Sequence, residues 1–342
     1  MQKITKVLPG FLMALLIAAV ARTIENLLPI HLIGGSVIAL FIGMGLNQLR
    51  KPADFIRPGL AFTSKKMLKF AIILLGASLS IGTILHVGRL SLTVMVFTLL
   101  TCFGGGYIVG RMLGLDWKLS NMISAGTGIC GGSAIAAIAP VIDAEDKDIA
   151  YAMSATFLFD MVMIVVFPIL GRMMGMSDIA YGLWAGTAVN DTSSVVAAGY
   201  AFSEAAGDFA TMVKLTRTLS IIPTVIIFAL INVRLKRKAA LAQGDDQEIR
   251  SDVKFTKLFP WFILFFVLLA VINSMGLIPA ALSAAMKETS KFLMVAALAA
   301  IGLNTDFREM KQSGFNPMVH GFIISALVVI VALAVEYFMG LV

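Results

Sequence analysis

Apolar runs follow one another along nearly the whole chain, each ended by charged residues or by Pro and Gly. The pattern predicts about eleven crossings, centred on residues 8–28, 33–49, 68–85, 90–110, 119–142, 149–170, 179–200, 209–233, 258–275, 290–304 and 316–340. A helix of roughly 20 apolar residues spans about 30 Å of hydrocarbon. The expectation is therefore an all-α polytopic membrane protein. The first run begins like a signal peptide, but it continues through Arg22 to Pro29 and another span follows, so it is expected to be retained. Residues 276–291, with Pro279, Lys287, Glu288 and Lys291, predict an interfacial helix or a half-helix.

Composition agrees with this pattern. Of 342 residues, 59% are hydrophobic and 14% charged, with mean hydropathy +0.92, which excludes an ordinary soluble protein and leaves one integral membrane unit over 1–342. The longest polar break, 234–257, divides a larger first part from a smaller last one. Basic residues gather there and between Arg50 and Lys69, so both connections are expected on the cytoplasmic side. The acidic connections 143–148 and 204–208 are then expected outside. The net charge of +7 sits in short loops rather than on a face that could follow a phosphate backbone, so nucleic acid is not an expected partner. Cys102 and Cys130 lie inside apolar runs and have no metal-site spacing.

Two spans are interrupted. The fifth reads LSNMISAGTGICGGSAIAAIAPVI, with Gly126, Gly128, Gly131 and Gly132 between two apolar halves. Interior glycine costs roughly 0.5–1 kcal/mol relative to Ala, so an unbroken helix is disfavoured. The seventh reads AYGLWAGTAVNDTSSVVAAGYAF and sets Asn190, Asp191, Thr192, Ser193 and Ser194 at mid-depth. Superposed, the two place Gly126 on Gly186, Thr127 on Thr187 and Ser133 on Ser193, which marks an internal repeat. Broken helices expose free N–H groups at one half-helix start and free carbonyls at the other half-helix end. Transporters place substrate and coupling-ion sites at such breaks. Ser133 is expected to cap the helix that follows the first break. If both segments cross fully they run parallel, and if both are re-entrant they form an inverted pair; charge counting does not choose. A phosphate-loop reading fails because Gly132 stands where lysine is required, and no other enzyme signature is present.

The charges inside the spans are few. Asp160, within FLFDMVMIVVF, is expected to have a partner or a proton. Lys214 and Arg217 share a helix face, with Pro223 as an expected kink, and either snorkel to the surface or face the cavity, as an anion clamp or as partners of Asp191 or Asp160. Glu25 and Glu336 are expected at the interface, and His31, His86 and His320 at span boundaries without a function. Gly106, Gly110 and Gly114 at spacing four are expected to pack closely against a neighbouring helix.

At GTGICGGSAIAAIAPVI, GTAVNDTSSVVAAGY and VKLTRTLSIIP the chain resembles the YeiH-type family of sulfate exporters of bacterial inner membranes. The resemblance implies membership of the cation:proton antiporter and anion transporter superfamily, with discontinuous helices, a separate scaffold, inverted repeats and a homodimer. It also implies a central site at Gly126–Ser133 and Asn190–Ser194.

The combined expectation is a secondary transporter that moves sulfate or a related sulfonate by alternating access, without a cofactor. Gly126, Thr127, Gly128, Cys130, Gly131, Gly132, Ser133, Asn190, Thr192, Ser193, Ser194, Lys214 and Arg217 are the candidate anion-site residues. Asp160 and Asp191 are the candidates for H+ or Na+ coupling. The rivals are a cation:proton antiporter and a membrane subunit of a larger ion-pumping or sensing complex.

Overall fold

A computed structural model describes residues 2–27, 35–242, 261–305 and 314–342, and among these residues the chain is helical with no strand. The helices are α1 (Gln2–Leu27), α2 (Gly35–Leu49), α3 (57–76), α4 (Ile81–Met112), α5 (117–130), α6 (Gly132–Ile138), α7 (Asp146–Met173), α8 (Asp178–Ala188), α9 (Thr192–Phe202), α10 (Glu204–Thr218), α11 (Ile221–Ala242), α12 (Trp261–Ser274), α13 (Ala280–Asn304) and α14 (Phe315–Phe338). Wide π-type turns interrupt α3 at Thr63–Met67 and α4 at Thr101–Gly105, and a third ends α5 at Gly126–Cys130. Among the described residues five stretches are long and apolar enough to cross a bilayer: Lys6–Glu25, Ile81–Met112, Lys147–Met173, Glu204–Leu235 and Phe315–Phe338. Val37–Leu49 and Trp261–Ser274 are shorter apolar helices.

The helices fall into two groups. In the first, α1, α2, α3, α12 and α13 pack on one another. Backbones come close at Gly43 of α2 and Gly302 of α13, where a Cβ at either position would run into the backbone of the other helix. The second group holds α4 to α11 and α14, with α10 packed against α8 and α9, and α14 against α4, α5, α7 and α8. Between the groups lies an apolar seam in which Val37, Leu40, Met44 and Leu298 meet Met161, Ile164, Ala197 and Ala201. The seam ends in a charged patch where Lys287 of α13 reaches Glu204 (2.8 Å) and Asp208 (2.9 Å) of α10, and Lys291 reaches Glu204 (2.6 Å).

The two interrupted segments are hairpins. The first, α5 and α6, begins and ends at one place, for Lys118 Nζ donates to the Asp143 carbonyl at 2.8 Å. Asn232, near the basic end of α11, also donates to Asp143 Oδ2 at 2.8 Å. The second, α8 and α9, closes through Ser203 Oγ, which donates to Asp178 Oδ1 at 2.5 Å, and through Arg172, whose guanidinium donates to the carbonyls of Ala201 and Phe202. The connector α7 has 28 residues and is about 42 Å long at 1.5 Å per residue. The first hairpin is rooted at its start and the second at its end, so the two enter the bundle from opposite ends. This geometry is that of two hairpins placed at opposite ends of α7. It also corrects the placement of residues 143–148, which lie with the basic end of α11 rather than with 204–208.

Matching local sequences set up the hairpins. GRMLGLD (110–116) ends α4 and GRMMGMS (171–177) ends α7. In both, a glycine at positive φ, Gly114 at 66° and Gly175 at 64°, stops the helix where an L side chain would be strained. Asp116 then accepts from Lys118 N (2.9 Å) and Ser177 from Ala180 N (3.3 Å), capping α5 and α8. Gly114 is thus a helix stop. Gly106 and Gly110 do pack as expected, against Ser124 and Ser120 of α5.

Several other expectations are corrected. Residues 280–291 are simply the first turns of α13, because Pro279 stands just ahead of the helix where no amide is needed. Pro223 lies in the first turn of α11, and the chain breaks before it, after Thr218. Residues 234–242 of the polar connection continue α11, while 243–257 and His31 lie outside the described residues. His320 is buried, with Nε2 3.0 Å from the Gly106 carbonyl and 3.2 Å from Ser120 Oγ.

Candidate functional site at the meeting of two hairpin tips

The first hairpin turns at Gly131, whose φ of 63° and ψ of −133° suit glycine alone. The second turns through Val189, Asn190 and Asp191, with extended backbone at Val189 and Asp191. The tips touch: a Cβ on Gly131 would lie 2.8 Å from both Cβ and Oδ1 of Asp191. They meet beside Asp160, halfway along α7.

Each break frees backbone groups that must find partners away from water. The carbonyl ends are taken by cations. Arg217 donates Nε to the Gly128 carbonyl and NH1 to that of Thr187, both at 2.5 Å, with NH2 bonding the Thr127 carbonyl. Lys214 Nζ donates to the Val189 carbonyl at 2.9 Å, and Arg217 NH1 reaches the same oxygen at 3.4 Å. The end of α5 and the end of α8 thus share one guanidinium. The amide side of the second break is taken by carboxylates. Asp160 accepts from the backbone N–H of Asn190 and of Asp191, each at 2.9 Å, while Asp191 accepts from Ser193 N at 2.9 Å and from the Ser193 hydroxyl. Positive charge at carbonyl ends and negative charge at amide ends is the favourable sense of the helix dipole.

The charges are deeply placed. Lys214 and Asp160 are 0% exposed and Arg217 is 1% exposed, so neither base snorkels. Nor do the bases pair with the acids: among the described residues no ion pair joins Lys214 or Arg217 to Asp160 or Asp191, and the bases bond to carbonyls instead. The donors of Arg217 are directed into the protein, which leaves an open anion clamp without its geometry. Ser133 does not cap α6 either. The cap position belongs to Gly131, because the chain leaves helical geometry there, and Ser133 is the second residue of the helix.

The candidate residues divide by access. Gly126, Thr127, Gly128, Cys130, Gly131, Asn190, Ser193 and Ser194 are buried, whereas Gly132, Asp191 and Thr192 are partly accessible and Ser133 is exposed. Two buried atoms at the tips, Thr127 Oγ1 and Asn190 Oδ1, have no partner. Buried polar atoms are seldom left so. Asn190 Nδ2 is engaged with Ser325 Oγ of α14 at 3.2 Å. Sequence reasoning missed Ser325 and Thr156, whose carbonyl is 3.4 Å from the same Nδ2, because each is a single small polar residue in an apolar helix.

The comparisons agree with this architecture of apolar helices. Residues 9–321 match the family model described as conserved hypothetical protein 698. A "UPF0324 membrane protein" of Clostridium tetani is 56% identical over 334 residues, covering 97% of each chain. Proteins of the same description are 37% identical in Streptococcus mutans, over 98% of each chain, and 36% identical in Fusobacterium nucleatum, over 97% of this chain and 98% of that one. The chain is therefore a multi-pass membrane protein of the UPF0324 family, that of conserved hypothetical protein 698.

Proposed function

We propose that this protein is a secondary transporter that exports a small anion, sulfate or a related sulfonate, across the bacterial inner membrane with H+ or Na+ coupling, as a homodimer. The observation that carries the reading is the meeting of two opposed hairpin tips midway along α7, where their freed backbone ends are neutralised by two bases and two acids. Interrupted backbone at this depth is tolerated where it is buried in protein or lines a cavity, and it is a recurrent basis for transport sites.

Access assigns the contacts. The anion meets Gly132, Ser133 and Thr192, which with Asp191 are the candidate tip residues that have accessible surface. Lys214 and Arg217 act through their field rather than by touching it. With both acids ionised the charges of Lys214, Arg217, Asp160 and Asp191 sum to zero, so an added anion leaves the centre negative. A proton or Na+ at Asp191, the more accessible acid, restores the balance and couples the two fluxes. The test is uptake of radiolabelled sulfate into proteoliposomes under imposed H+ or Na+ gradients, in wild type and in Asp191→Asn. Gradient-driven uptake in wild type that becomes insensitive to the gradient in the variant is the expected result.

A second reading, cation:proton exchange, draws on Thr127 Oγ1 and Asn190 Oδ1, two buried unpartnered oxygens in the two hairpins that suit a small cation. Sodium-dependent proton movement without sulfate flux would select it. Alternating access requires one helix group to move against the other, and the Lys287 and Lys291 pairs with Glu204 and Asp208 would hold one end of the seam closed. Partly exposed pairs contribute up to about 1 kcal/mol each. The double variant Glu204→Gln, Asp208→Asn is expected to raise the population parted at this end about fivefold. Spin-label distances between α10 and α13 measure that population, and an unchanged distribution would remove the pairs from the mechanism.

A further inference from the structure

The buried face of α14 includes Ile324, Val328, Ala332 and Glu336, every fourth residue and hence on one side of the helix. Three are apolar and the fourth is an acid. Glu336 is 0% exposed, and neither carboxyl oxygen has a hydrogen-bond partner. Trp184 Nε1 donates to the Val329 carbonyl, so beyond residue 329 α14 runs beside the first turns of α8. It also packs on α4, α5 and α7.

The titratable groups that these elements bring to this end are engaged elsewhere. His86 and Arg89 of α4 are exposed. Arg172 of α7 donates to Ala201 and Phe202, Tyr181 of α8 donates its hydroxyl to the Ala198 carbonyl at 2.9 Å, and Asp178 accepts from Ser203. Asp116 and Lys118 lie at the far end of α5. Among the described residues, none of these groups makes a hydrogen bond to either carboxyl oxygen of Glu336. An ionised carboxylate here would have neither donor nor cation in place of its water shell, an expense of several kcal/mol. The neutral acid is the form that this apolar site accommodates, which corrects the expectation of an interfacial glutamate.

We propose that Glu336 is a proton-carrying site separate from the hairpin tips, and the residue that a lipid-soluble carbodiimide modifies when the helices enclosing it open locally, since at 0% exposure it is out of reach while they are closed. In that reaction the carboxyl proton moves to one carbodiimide nitrogen as the carboxyl oxygen bonds to the central carbon. The O-acylisourea then shifts its acyl group to the neighbouring nitrogen as a stable N-acylurea. Nothing leaves, and the peptide gains the mass of one reagent. The inference does not depend on what is transported.

The test uses the wild-type chain in liposomes at neutral pH, treated in parallel with dicyclohexylcarbodiimide and with a water-soluble carbodiimide, and mapped by peptide mass spectrometry. The expected result is an adduct of the lipid-soluble reagent on Glu336, at an occupancy several-fold above that on Glu204 or Glu288, with no adduct of the water-soluble one. Loss of this adduct in Glu336→Gln, with the remaining pattern kept, completes the assignment. An unmodified Glu336, or equal modification by both reagents, would overturn the proposal. The decisive comparison is made in wild type, so it does not rest on a variant's folding.

Discussion

Replacing Arg217 by methionine is expected to unfold the meeting point of the hairpins rather than to change what the protein selects. The guanidinium binds the carbonyls of Thr127, Gly128 and Thr187, and methionine returns none of those bonds. Each buried carbonyl left without its donor typically costs about 1–3 kcal/mol, so losing three donors at once is a large effect. It would also leave Asp160 and Asp191 with a single buried base nearby. Thermal denaturation of the purified protein in detergent should show a large fall in Tm. Arg217→Lys should fall between the two, because it keeps the charge but cannot bridge two helix ends with one planar fork. A methionine variant with wild-type Tm and altered anion preference would show instead that Arg217 touches the substrate.

The second large effect is expected at Gly131. An alanine there would occupy a backbone conformation that costs about 1–3 kcal/mol for a residue with a side chain. Its Cβ would also lie 2.8 Å from Asp191 Cβ and Oδ1, closer than the atoms can stand. The two tips must then part, and the carbonyls held by Arg217 part with them. The double variant Gly131→Ala, Asp191→Gly removes the clash but keeps the backbone strain. It should recover part of the lost Tm, and the fraction recovered measures how much of the effect is contact between the hairpins. A single variant as stable as wild type would mean that the tips do not meet as described.

Much of the site was legible in the sequence because it is chemically out of place. Asp160, Lys214 and Arg217 stand in apolar helices, where a charge demands a reason, and the glycines at 126–132 and the polar run at 190–194 interrupt otherwise regular patterns. Gly126 and Gly186, and Ser133 and Ser193, are matched at the same offset that separates Gly131 and Asp191, the residues just ahead of α6 and α9. GRMLGLD and GRMMGMS, 61 residues apart, end two long helices in the same way and launch the two hairpins. The bases were misjudged because spacing on a helix shows that two side chains share a face, but not what lies opposite. Glu336 was misjudged for the same reason: nearness to a helix end suggested water, and the neighbouring helices exclude it.

The sequence by itself determined that the chain is a helical membrane protein, that two glycine and polar runs interrupt its helices, and which polar residues lie within them. Those properties follow from local chemistry, from the length of apolar runs and from the residues that start and stop helices. Only the tertiary structure decided that the broken segments fold back from opposite ends, that their tips meet, and that Lys214 and Arg217 bind carbonyl oxygens of helix ends rather than carboxylates. The physical reason is that backbone groups freed by a break are satisfied by whatever donor or acceptor packing brings to them, and those partners are far away in the chain: Thr127 and Arg217 are 90 residues apart.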